Sequence, residues 1–144
     1  MLLKIIVIGK LKDHLFSSKC DEFAKWITKY GKIEITELKD ENKERENSAI
    51  LSEINKEKGY IIALSEEGKL FSSEKFSQHL AAIDRKIVFI IGGPYGLLPE
   101  VKAKADLLLS LSPMTFTHEI ARLLLLEQIY RAANIAHNGK YHNP

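Results

Sequence analysis

Five apolar runs of strand length, separated by stretches whose apolar residues recur at helical spacing, leave few folds open to this chain. The runs are LLKIIVIG (2–9), IEITEL (33–38), YIIAL (60–64), KIVFIIG (86–92) and LLLSLS (107–112), and most are rich in β-branched residues. Between them, Phe16, Phe23 and Ile27, then Ile50, Leu51 and Ile54, then Phe76, Leu80 and Ile83 each mark one face of a helix. Gly31 and Gly59 stand where the first two helices would end in a glycine cap. Ser73 with Glu74 opens the third as an N-cap followed by an acid matched to the helix dipole. Strands alternating with helices predict an α/β fold, a mostly parallel sheet with helices on both faces. The unbroken runs at 60–64 and 86–91 belong in its middle, because a strand covered on both faces has no polar side. IEITEL alternates and belongs nearer an edge.

A final helix is expected over 117–136, THEIARLLLLEQIYRAANIA. Its four consecutive leucines, Leu123 to Leu126, point all around the axis, since successive residues are about 100° apart. A helix in a domain this small buries one side on its own sheet, so the other apolar side is expected to meet a second subunit and form a homodimer. Glu127 and Arg131 are spaced for an i,i+4 ion pair in the favourable order.

With 144 residues and 45% apolar content, the chain suits one domain, 1–144, able to bury roughly two thirds of the surface its unfolded form exposes. No linker, repeat or low-complexity tract divides it, and the charged run KDENKEREN reads as a solvated loop and first helical turn. Cys20 shares helical spacing with Phe16, Phe23 and Ile27 and reads as a small buried apolar residue. A lone cysteine makes no intramolecular disulfide, so a reducing compartment is expected. The opening MLLKIIVIGK is too short and too soon charged for a signal peptide or spanning helix, which points to a soluble cytoplasmic protein with no membrane partner. Scattered histidines and one cysteine lack metal-ligand spacing, so no metal is expected. The net charge of +2 is mild for a nucleic-acid binder. His118, Arg122, Arg131, His137, Lys140 and His142 nevertheless gather toward the C-terminus, which makes that end the better candidate for meeting an anion.

Three strand ends carry the candidate chemistry, because ligands of open parallel sheets bind beyond the carboxyl ends of the strands. The third run ends in ALSEEGK, the fourth in IIGGPYGL and the fifth in SLSPMTF. Gly92, Gly93 and Gly96 let the backbone turn tightly and approach a ligand, yet the spacing is neither GxGxxG nor a phosphate loop, and a plain turn fits equally well. SLSPMTF offers backbone hydrogen-bonding groups, the hydroxyls of Ser112 and Thr115, and the apolar Leu111, Met114 and Phe116. An adenine ring wants that mixture, although a simple strand-to-helix link capped by Thr115 or Thr117 also accounts for it. His118 and Arg122 share a helix face and read either as a surface pair or as a basic site beside this link.

Taken together and in order, IIVIGKLK, ALSEEGK, IIGGPYGL, SLSPMTFTHEIAR, LLEQIYRAANI and the terminal Tyr-His resemble the small SPOUT-class ribosomal RNA methyltransferases, the large-subunit pseudouridine N3-methyltransferases. The resemblance runs from about residue 2 to residue 142. It implies a C-terminal deep trefoil knot, a rare exception to unknotted chains. It also implies a homodimer with the last helix at its interface, S-adenosyl-L-methionine as cofactor, and a pseudouridine of 23S rRNA in the assembled 70S ribosome as substrate. Carried over residue by residue, the cofactor contacts fall on Leu64, Gly92, Leu111, Ser112, Pro113, Met114, Thr115 and Phe116. Tyr141 and His142 match the family's tail and become the catalytic candidates, with His142 as proton acceptor. His118, Arg122, Arg131 and Lys140 are the candidate RNA contacts. Asn143 stands where the family has arginine, Thr117 where it often has proline, and Ser65 where an acid is common. A SPOUT enzyme with another RNA target, and a noncatalytic nucleotide- or RNA-binding module, are the two other readings.

Overall fold

Each expected run becomes a strand in the computed structural model, which describes residues 1–144. The strands are β1 (Leu2–Ile8), β2 (Lys32–Leu38), β3 (Tyr60–Leu70), β4 (Ile87–Ile91) and β5 (Leu107–Ser110), and the helices α1 (His14–Ile27), α2 (Lys43–Asn55), α3 (Ser73–Ala81), α4 (Pro99–Lys102) and α5 (His118–Ala136). All strand pairs are parallel, in the order β2-β1-β4-β3-β5. IEITEL is an edge strand, and β4, buried throughout, lies in the middle. The one-turn α4 escapes the sequence reading because four residues are too few to show a period.

Alternation along the buried strands explains why their runs are apolar without a break. Leu3, Ile5 and Val7 of β1, with Ile87, Phe89 and Ile91 of β4, face a layer built from Cys20, Phe23 and Ile27 of α1, Phe76 and Leu80 of α3, and Leu125, Leu126 and Ile129 of α5. Ile6, Ile8, Val88 and Ile90 face the opposite layer, where Ile50 and Ile54 of α2 meet Leu97 and Val101. Each side chain in these layers stabilises the fold by roughly 1.5–3 kcal/mol relative to exposure. Lys4 is the polar exception. Its side chain reaches the sheet's amino end, where Nζ lies 2.8 Å from Glu57, 3.3 Å from Glu53 and 3.5 Å from Glu34.

Four local expectations need correction. Helix α1 is capped at Thr28 and α2 at Lys56, and neither Gly31 nor Gly59 has positive φ. These glycines make room instead: a Cβ would fall 2.0 Å from Met1 O at Gly31 and 2.5 Å from Lys86 O at Gly59, where the chain passes the start of β1 and β4. The N-cap of α3 is Ser72, whose hydroxyl accepts from Lys75 N at 3.1 Å, and Ser73 is the first helical residue. Strand β3 does not stop at Leu64. It continues to Leu70 after residues 65–68 bulge out of the ladder, so that Leu64 and Lys69 both stand opposite Leu109.

The fourth correction concerns α5, which packs between α1 and α3 as well as on the sheet. Its buried sector is therefore wider than one sheet face would give. Leu125 and Leu126 are fully buried, Leu123 is half-buried against the same core, and only Leu124 of the four leucines is exposed. Thr117 is its N-cap, accepting from Ile120 N at 3.4 Å. Glu127 and Arg131 form the anticipated ion pair. No helix of the chain is long and apolar enough to cross a membrane.

Candidate active site

Parallel strands deliver their following loops to one edge, and there the three singled-out segments meet. They form an open cleft of about 960 Å³. One wall is the β3 bulge, Leu64, Ser65, Glu66 and Glu67; the floor is Ile91 with the turn from Gly92 to Leu97; the other wall is Leu111, Ser112 and the stretch from Met114 to Glu119. Seven of the eight residues carried over as cofactor contacts line it, and Pro113 is the one that does not.

The GGPYG turn is held from both ends. Gly96 N donates to Gly93 O at 3.0 Å, closing the turn, and Gly96 adopts φ +77, a backbone conformation that favours glycine. Asn47 of α2, buried, clamps the exit: its Nδ2 donates to Gly96 O at 3.3 Å and its Oδ1 accepts from Leu98 N at 2.7 Å. Gly92 leaves space that a Cβ would take from Leu97, whose Cδ2 would be 2.8 Å away. Behind Gly93 stands Glu46, also on α2. A Cβ on Gly93 would come within 2.5 Å of Glu46 Oε1, a buried oxygen with no hydrogen-bond partner.

Across the cleft, hydroxyls rather than glycines shape the backbone. Ser110 Oγ lies 3.2 Å from Glu66 O and 2.9 Å from Ser112 O, tying the β3 bulge to the end of β5. Ser112 Oγ accepts from Met114 N at 3.0 Å and turns the chain after Pro113. Met114 and Phe116 are exposed, at 75% and 37%, so two large apolar groups stand at the mouth of the cleft. Lys102 pairs with Glu67, and Glu119 Oε1 accepts from Lys12 N at 2.6 Å. Lys12 and Lys43 also line the cleft.

The candidate RNA contacts do not gather in one place. His118 lines the cleft mouth, with its Cε1 and the Asp40 carboxylate both within about 3 Å of where a Cβ on Gly9 would lie. Arg122 is buried, and its Nη1 is bonded to Glu37 Oε2 at 2.7 Å, which removes it from the surface. Arg131 is held by Glu127, while Lys140 is exposed in the tail. Tyr141 and His142 are not part of the cleft lining. The tail folds back along α5, so that the Tyr141 hydroxyl donates to Glu127 Oε1 at 3.1 Å, roughly 14 Å along the helix from His118. His142 Nε2 lies 2.8 Å from Glu74 Oε1 and its Nδ1 3.0 Å from Arg131 Nη1. Burial, reinforced by Glu127, raises the Tyr141 phenol above its ordinary value, so it serves as a hydrogen-bond donor and not as a base. The bond to His142 holds Glu74 below the usual carboxylate range.

Lys12, Lys43, Glu46 and Asn47 are the site residues that sequence reasoning missed. Lys12 and Lys43 follow the first two strands, and the strand-end rule applied to those runs would have found them. No local pattern marks Asn47, whose partners Gly96 and Leu98 lie about fifty residues away in sequence, or Glu46, which packs behind Gly93. No group of three or more His, Cys, Asp or Glu suited to a metal ion is present.

A family model described as "Predicted SPOUT methyltransferase" matches residues 1–142. The Ribosomal RNA large subunit methyltransferase H of Pseudothermotoga lettingae is 39% identical and that of Clostridioides difficile 41%, each match covering 99% of both chains. Among solved structures, a probable methylase family protein from Haemophilus influenzae Rd KW20 superposes with a TM-score of 0.60 at 16% identity, covering 99% of this chain and 70% of that one. The tRNA (m1G37) methyltransferase from Aquifex aeolicus gives 0.54 at 19% identity, covering 91% and 70%. At such identities the two structures speak for the fold alone.

Proposed function

This chain belongs to the SPOUT methyltransferase family, and from that premise we propose that it methylates N3 of a pseudouridine in 23S rRNA of the assembled ribosome, with S-adenosyl-L-methionine as donor. The observation that carries the reading is the convergence of residues 64–67, 92–97, 111–112 and 114–117 on one cleft. Separate stretches of chain, distant in sequence, build it.

The residues present fit a sulfonium nucleoside. Leu64, Ile91, Leu97, Leu111 and Phe116 supply apolar surface for a purine, and the glycine turn brings backbone close where side chains would block it. Glu66 and Glu67 on the β3 wall keep that side of the cleft polar. When bound, S-adenosyl-L-methionine supplies a methyl group activated by the positive sulfur. The chain's own task is to hold the acceptor nitrogen in line with that methyl and to take up the imide proton. His142 is the proposed acceptor of that proton. Because the tail lies outside the cleft lining of its own protomer, the reading has it serve the partner's cleft in a homodimer. Exposed Leu124, Phe116 and Met114 near α5, with Leu15 and Trp26 on α1, supply apolar surface for that association. The same reading has the segment after β5 threaded as a deep trefoil knot and the enzyme at work in the cytoplasm, where ribosomes are.

The test is to incubate 70S particles with methyl-labelled cofactor and map the product. Label at N3 of a single pseudouridine in 23S rRNA is the expected result. Label on another RNA would overturn the target, and no transfer to any RNA would overturn the activity. A His142→Ala variant with wild-type turnover would move the proton role elsewhere.

A further inference from the structure

Glu46, which stands behind the glycine turn, has no task in the reading above. It is 1% exposed. Its Oε2 accepts from Glu41 N at 3.0 Å, whereas its Oε1 has no partner, and no lysine, arginine or histidine pairs with it. Lys43, three residues earlier on α2, lines the cleft without bonding to it. Leaving a buried carboxyl oxygen unmatched costs free energy, so the one on Glu46 calls for an explanation. The oxygen stands directly behind Gly93, close enough that a methyl group there would overlap it, and Gly93 itself lines the cleft.

We propose that Glu46 reads charge for the cleft: its buried carboxylate attracts a cation held against the GGPYG turn, and so favours the sulfonium nucleoside over the neutral thioether that remains once the methyl has left. The inference rests on the cofactor reading and extends it. The other acids of the cleft are poorly placed for this role. Glu67 is neutralised by Lys102, Glu119 is bonded to Lys12 N, and Glu66 is exposed, so water and salt screen it. A carboxylate sealed behind the glycine turn acts through a medium of low dielectric and keeps its reach. Glu46 touches the turn rather than the reacting atoms, so it is a positioning and selectivity residue.

Calorimetry with S-adenosylmethionine and with S-adenosylhomocysteine tests this on wild type and Glu46→Gln, which keeps the side chain's shape and removes its charge. Sulfonium binding is expected to weaken about tenfold while thioether binding changes less than about twofold. Equal weakening of both would make Glu46 a packing residue only, and an unchanged ratio would dismiss its charge. Asn47→Ala, which frees the turn without altering charge, is expected to weaken both compounds alike. Should Glu46→Gln fail to fold, the wild-type ratio at low and high salt decides. A buried source leaves the ratio unmoved, while a ratio that collapses with salt assigns the discrimination to exposed acids and overturns the proposal. If the wild type binds neither compound, the cofactor reading falls and takes this inference with it. If it binds both and Glu46→Gln keeps the ratio, this inference alone is lost.

Discussion

Replacing Gly68 by alanine should damage fold and site together. Gly68 ends the β3 bulge and runs against β5. An added Cβ would lie 2.6 Å from both the carbonyl carbon and oxygen of Leu108 and 2.8 Å from the carbonyl carbon of Leu109. These atoms are backbone tied into the β3/β5 ladder, so no side chain can rotate away and the strands must part by several tenths of an ångström. Overpacking of this kind costs about 3 kcal/mol. In a chain of this length that lowers Tm by roughly 6–12 °C. Because residues 64–67 form one wall of the cleft, S-adenosylmethionine affinity should fall with it, by about tenfold or more. Gly96→Ala is the comparison. It meets nothing within 4 Å and carries only the strain of φ +77, about 1 kcal/mol, so its melting point should drop by no more than about 4 °C. Differential scanning calorimetry and cofactor titration decide the matter. A Gly68→Ala protein melting within about 2 °C of wild type, or no lower than Gly96→Ala, would refute the close crossing of β3 and β5.

Lys4→Met should destabilise the protein by about 3 kcal/mol near neutral pH, because three carboxylates converge on one buried amine. Burial pulls the Lys4 amine down, but its bonds to Glu57 and Glu53 outweigh this and hold it above the ordinary lysine value. Lys4 and Lys86 hold Glu57 below the usual carboxylate range, and Glu53 is held there by Lys56 and Lys4 against the upward push of burial. The lowered acids contribute stability above about pH 4.5 and lose it as pH falls through their folded values, while the raised amine contributes below about pH 10.5 and loses it above. Denaturation of wild type and Lys4→Met across pH should therefore show a gap that is full between those limits and narrows outside them; a gap independent of pH would contradict the cluster. Burial pushes the Cys20 thiol up to about 11, so the native protein should resist alkylation at pH 8 and react fully only when unfolded. Rapid native labelling would show that α1 opens from the sheet.

The middle of the sheet was legible because β1 and β4 are buried on both faces and announce themselves as unbroken apolar runs. The carboxyl edge was legible for the same reason, since parallel strands send every following loop to one side. What stayed hidden depends on contacts distant in sequence. Residues SEEGKL continue β3 with no apolar alternation, and only the renewed pairing of Lys69 and Leu70 with β5, after 65–68 leave the ladder, shows that the strand goes on. Gly31 and Gly59 look like caps until Met1 and Lys86 are seen crossing over them. The leucines of α5 look one helix short of burial until α1 and α3 are placed on either side. Arg122 reads as surface charge, yet an ion pair with Glu37 draws it inside. Glu46 and Asn47 fall in a run that reads as solvated, yet both are buried, and the turn that Asn47 clamps lies about fifty residues away.

A crystal structure with S-adenosylmethionine bound tests the central claim most directly. The nucleoside should appear between the β3 bulge, the GGPYG turn and the stretch from Leu111 to Phe116, touching all three. Density for it at any other place on the chain, or contact with only one of these segments, would contradict the assignment of this cleft.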